Sequence, residues 1–141
     1  MNFIRHLILT LTLAPTLASA HGGDKPGPHG GKIEMPGAFH TELVLDKDQS
    51  AHVYLLDMNF QNSTTKDSSA KVFARAKKVQ IPFNCTVMQD HFHCVPTKKY
   101  SQDSEIVIKA VREKAVGNDA VYKLPLKFEN QTESKSEHSH H

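Results

Sequence analysis

Seven short segments rich in valine, isoleucine, tyrosine and phenylalanine, each closed off by turn-forming residues, constrain this chain more than any other feature. They are residues 39–46, 51–57, 71–76, 79–88, 92–95, 105–113 and 120–128, and stretches such as Asp46-Lys47-Asp48-Gln49-Ser50 and Gly117-Asn118-Asp119 separate them. In the first segment Phe39, Thr41, Leu43 and Leu45 point one way, and His40, Glu42 and Asp46 the other. That period of two belongs to a half-buried strand. No stretch sustains a helical period, so the expected class is all-β: an antiparallel β-sandwich, immunoglobulin-like or of similar topology, with about seven strands. A small barrel is the other closure open to such a set. A hairpin of the first two segments, with residue 45 opposite 52 and 40 opposite 57, puts His52 at the loop end and His40 at the far end.

The ends read differently. One basic residue, Arg5, precedes an apolar run from Leu7 to Leu13, and Ala18-Ser19-Ala20 follows with the small residues a signal peptidase accepts. Residues 1–20 are therefore read as a cleaved signal peptide. The run is too short for a helix crossing a bilayer, which takes about 20 apolar residues, and no membrane span is expected in the mature chain. Removing 20 of 141 residues leaves 121, enough for one domain with a modest core. Residues 21–31, dominated by glycine and proline, read as a flexible arm. Residues 32–129 form the sandwich domain. Residues 130–141, polar and ending in His138, His140 and His141, have nothing to bury and read as a disordered tail.

Lysine and arginine number 17 against 15 acids. So near a balance gives no field that argues for nucleic acid or an anionic membrane. Two cysteines, Cys85 and Cys94, in an exported chain are most simply one disulfide, stapling a hairpin that turns at Gln89-Asp90. Reduced, with Met88 and His91 or His93, they would instead suit monovalent copper. Export favours the disulfide and leaves His91 and His93 as nitrogen ligands. The sequons at Asn62, Asn84 and Asn130 would permit glycosylation in a eukaryotic secretory route.

Histidine carries the chemistry that the sequence offers. Cleavage after Ala20 would place His21 first, where its amine and imidazole can chelate one divalent copper ion, which leads the common divalent series in affinity for nitrogen. His29, in the arm, or His40 and His52, on the strands, are candidates to complete such a site. His40 and Glu42 share a strand face, and His29, His40 and Glu42 can meet if the first strand folds back beside the second. Imidazole with carboxylate suits divalent copper or zinc. An ordinary polar outer face is the alternative for each. There is no G-x-S-x-G, no H-E-x-x-H, no phosphate loop and no dinucleotide fingerprint, so nothing recommends an enzyme.

The run His29-Gly30-Gly31-Lys32-Ile33-Glu34, with Gly37-Ala38-Phe39-His40-Thr41-Glu42-Leu43-Val44 and His52-Val53-Tyr54-Leu55, resembles a pattern in small bacterial envelope proteins associated with heavy-metal handling. It covers about a third of the mature chain. The pattern is similar in spirit to periplasmic copper carriers of the CopC type, which pair an N-terminal histidine with a β-sandwich. The resemblance implies His21 as terminal ligand with His29 or His40 as its partner. With the arm and the His29, His40 and Glu42 cluster, the leading expectation is a periplasmic metal-binding protein, divalent copper first and zinc second, that sequesters the ion or hands it on to an envelope protein in metal tolerance. The chain departs from those carriers in lacking a methionine-rich loop, since Met35, Met58 and Met88 are scattered. The rival expectation is an adaptor β-domain that binds a protein partner, its histidines incidental.

Overall fold

The computed structural model describes residues 25–128. Residues 1–20, expected as a signal peptide, His21 and the tail with His138, His140 and His141 lie outside the described residues. Among the described residues nine strands run in chain order: β1 Lys32–Glu34, β2 His40–Leu45, β3 Ala51–Leu56, β4 Ser69–Ala76, β5 Val79–Val87, β6 Phe92–Pro96, β7 Glu105–Arg112, β8 Ala115–Val116 and β9 Ala120–Lys123. All pairings are antiparallel. No helix among the described residues is long and apolar enough to cross a membrane.

The seven expected segments correspond to β2 to β7 and β9. The two that were not expected are short. β8 owes its place to a two-residue turn, Glu113-Lys114, in which both residues have positive φ. Turns of that shape normally announce themselves with Asn-Gly or Asp-Gly, and here the signal is missing.

The strand order β1-β2-β3-β6-β5-β4-β7-β8, with β9 on β7, folds into two layers because β5 belongs to both. Its first half pairs with β4 up to Pro82, and its second half pairs with β6 from Phe83 onward. Pro82 has no N–H to give a ladder, and the changeover occurs there. Strands that switch sheets in this way make the corners of a sandwich. At the opposite seam, the buried Tyr122 of β9 donates to the Thr41 carbonyl at 2.9 Å and lies 2.6 Å from the Thr41 hydroxyl. Burial pushes its phenol far above the usual range, so it remains a donor.

Between the layers pack Phe39, Leu43, Val53, Leu55, Phe92, Ile106 and Ile108, with Tyr122 among them. Thr41 and Leu43 of β2 point inward, as their alternation requires. The inward-facing Cys85 and Cys94 stand opposite one another and form a disulfide, and their hairpin turns at Gln89-Asp90, closed by Met88 N–H donating to the His91 carbonyl at 2.8 Å.

The β2–β3 register differs by one residue from the sequence expectation: His40 lies opposite Leu56, and Val44 opposite His52. The cause is the loop. Asp46 and Ser50 close it, with Gln49 in the left-handed region and its N–H bonded to the Asp46 carbonyl at 3.0 Å. Three residues, rather than an even number, therefore lie between the paired ends. A one-residue slip decides which side chains are neighbours across the strands.

Several turn carboxylates share a pH signature. Asp48 is held below the usual range chiefly by the Ser50 hydroxyl, Asp57 by the Gln61 backbone N–H and the Asn62 amide, and Asp103 by Ser101. A carboxyl lowered on folding adds stability above its unfolded value and loses it as pH falls through the folded value. The melting temperature is expected to hold from neutrality to about pH 4 and to decline below it, read by circular dichroism melts. A melting temperature that rises on acidification below that point would contradict these turns.

Candidate metal centre

The outer face of β2, β3 and β6 collects the polar chemistry. Because Glu42 pairs with Tyr54, Val44 with His52 and His52 with His93, the side chains of three strands meet in a row. None of this follows from sequence proximity, since β3 and β6 are separated by two strands along the chain.

Glu42 is fully buried although it faces outward, because residues 27–31 of the arm fold over it. One carboxylate oxygen accepts the backbone N–H groups of His29 at 2.8 Å and Gly31 at 3.0 Å, and the other accepts from His29 Nδ1 at 2.7 Å. The approach is close enough that a Cβ on Gly27 would sit 2.5 Å from Glu42 Oε1, and one on Gly31 would sit 2.5 Å from the Leu43 carbonyl. The two glycines are therefore required by the clamp. The His29 ring lies flat on Tyr54, with centroids 3.6 Å apart.

From Tyr54 the stack of rings continues. Tyr54 stacks on His91, His91 meets His52, and His52 stacks on His93, at centroid distances of 4.8, 5.2 and 4.8 Å. Carboxylates flank it. His52 Nε2 lies 2.7 Å from Asp46 Oδ2, His52 Nδ1 lies 3.1 Å from His91 Nε2, and His91 Nδ1 lies 2.8 Å from Asp90 Oδ1. The hydrogen bond from His91 holds Asp90 below the ordinary carboxylate range. Burial, and then the charges of Asp90, Glu42 and Asp46, push the Tyr54 phenol up. Only the carboxylate part of that effect would draw a cation, since burial disfavours charge of either sign.

Asp46, His52 and His93 each offer one ligand atom, and these atoms lie within 4.8 Å of one another. Metal–ligand bonds of about 2.0–2.2 Å let two ligands stand at most roughly 4.2 Å apart, so a small inward rotation of the side chains closes the set. Two imidazoles and one carboxylate on a half-exposed face leave a coordination position open to solvent, as suits divalent copper or zinc.

The candidates from the sequence are thus distributed over three places. His29 and Glu42 touch, but the Glu42 oxygens are already taken by hydrogen bonds. His40 is buried at the other end of β2, its Nδ1 3.0 Å from the Asp57 carbonyl and its ring stacked on Phe60, apart from His29. His52, His91 and His93 are the ones that converge. Asp46 is legible in the sequence as the outward-facing end of the first strand and the start of its turn, but not as a ligand; its place one step before a loop that returns toward His52 is the available signal. No family model matches the chain, and no curated protein or solved structure shows significant similarity to it.

Proposed function

We propose that this chain is an exported metal-binding protein of the periplasm or cell exterior, binding divalent copper first and zinc second, which sequesters the ion or hands it on in metal tolerance. The convergence of Asp46, His52 and His93 carries the reading. The disulfide and the signal-like residues 1–20 support the location, and the proposed likeness of the His29 to Leu55 pattern to small envelope proteins of metal handling agrees with the role. Ligands that are half-exposed favour exchange over permanent retention, which fits delivery to an envelope partner. Binding rather than catalysis is proposed. His21, with its free amine, stands as a further ligand.

Calorimetric titration of the processed full chain with divalent copper and with zinc tests this. His93→Ala and Asp46→Ala are each expected to weaken binding by about tenfold or more, with the larger loss for the imidazole when copper is used. An extra N-terminal glycine ahead of His21 separates the terminal amine's share. Binding no tighter than micromolar in the unaltered chain, or equal affinity in all variants, would remove the function. A partner-binding adaptor draws its support from the exposed Val87 and Val95 on β5 and β6, and a partner captured equally well in the presence of chelator would favour it.

A further inference from the structure

The 3.1 Å contact between His52 Nδ1 and His91 Nε2 is not explained by the Asp46, His52, His93 set. A carboxylate only accepts, so Asp46 requires a proton on His52 Nε2 and Asp90 requires one on His91 Nδ1. In their neutral forms both rings then turn bare lone pairs toward each other. Two lone pairs at that distance repel unless a cation lies between them. A shared proton can fill the place, and so can a metal ion. With bonds of about 2.0–2.1 Å, two nitrogens at right-angled to tetrahedral positions around one ion stand roughly 2.9–3.4 Å apart, and the observed separation falls in that range without movement.

The surroundings match. A histidine ligand commonly donates its other N–H to a carboxylate, which orients the ring and raises its basicity, and Asp90 stands in that place behind His91. We propose that His52 bridges two divalent ions, one on its Nε2 with Asp46 and His93, the other on its Nδ1 with His91 Nε2, Asp90 steadying His91 from behind. The proposal rests on the metal-binding reading above and adds the second position. Each ion replaces one proton on His52: the Nε2–H bond breaks as the first nitrogen–metal bond forms, the proton shared with His91 leaves as the second forms, and both protons go to solvent. The resulting imidazolate, with Asp46 and Asp90, offsets most of the charge of the two ions. Solvent supplies the remaining ligands.

Titration of the full chain with divalent copper, followed by electron paramagnetic resonance, tests it. Two copper ions joined through one imidazolate couple magnetically and give a half-field transition that isolated sites, including any on the terminal histidines, do not. The unaltered chain is expected to show that transition as loading approaches saturation. His91→Ala should abolish it while keeping the mononuclear spectrum, and His91→Gln, which keeps a polar side chain on the loop, guards against misfolding of the alanine variant. Absence of the half-field signal in the unaltered chain, or its persistence in both His91 variants, overturns the bridge and indicates a shared proton only. If His52→Ala and His93→Ala leave the mononuclear spectrum unchanged as well, the Asp46, His52, His93 centre on which the proposal rests fails.

Discussion

Replacing Glu42 by leucine is expected to be among the most destabilising single changes on the outer face of the sheet. Three donors lose their acceptor together: the N–H groups of His29 and Gly31 and the His29 ring. A buried donor left unpaired costs about 1–3 kcal/mol, and water reaching the opened turn recovers part of that. A net loss of about 3 kcal/mol follows, which for a domain near 100 residues lowers the melting temperature by roughly 12–20 °C. Glutamine should cost much less. It keeps one oxygen for the two backbone donors and presents an amide N–H to His29, which can accept it by moving its proton to Nε2. A glutamine variant as unstable as the leucine variant, in parallel denaturant titrations, would show that the charge itself holds the clamp. A leucine variant as stable as the parent would show that the arm is not held by Glu42.

The second large effect is on metal. His52→Ala should lower affinity for divalent copper by about a hundredfold or more, a larger loss than for any other single histidine. It removes the one ring that contacts both Asp46 and His91, whereas loss of His93 leaves His52 in place with both of those neighbours. Removing one partner from a coupled set of ligands costs more than a single contact. Stability should barely change, since His52 faces outward and is partly exposed. A variant that binds copper as tightly as the parent would move the centre elsewhere on the chain, to the arm or tail.

The architecture was largely legible because β-rich segments and turn residues report local preference, and local preference here agrees with the fold. Leu43 and Thr41 inside, His40 and Glu42 on the other face, and Cys85 across from Cys94 all follow from alternation and one tight turn. The candidate centre was less legible for two physical reasons. The Asp46–Ser50 loop fixes its register through a left-handed Gln49, a position where glycine or asparagine usually gives the signal. The neighbour of β3 is β6, so that His52 and His93 meet through a pairing between residues 41 apart, and no local pattern encodes that choice. Glu42 was recognised as facing outward, yet its burial depends on Gly27 and Gly31 letting the arm descend on it, which a reading of the arm as solvated did not include.

Within the sheet that runs from β1 through β2, β3 and β6 to β5, every junction but one is closed by the chain turning back on itself. The exception is β3 against β6, where only Ala51, His52 and Val53 find partners. A three-stranded meander and a hairpin are thus joined edge to edge along a short seam, and the imidazoles of His52 and His93 straddle it. An ion gripping both rings would act as a rivet through that seam. The protein's resistance to parting there would then report how much metal its surroundings hold.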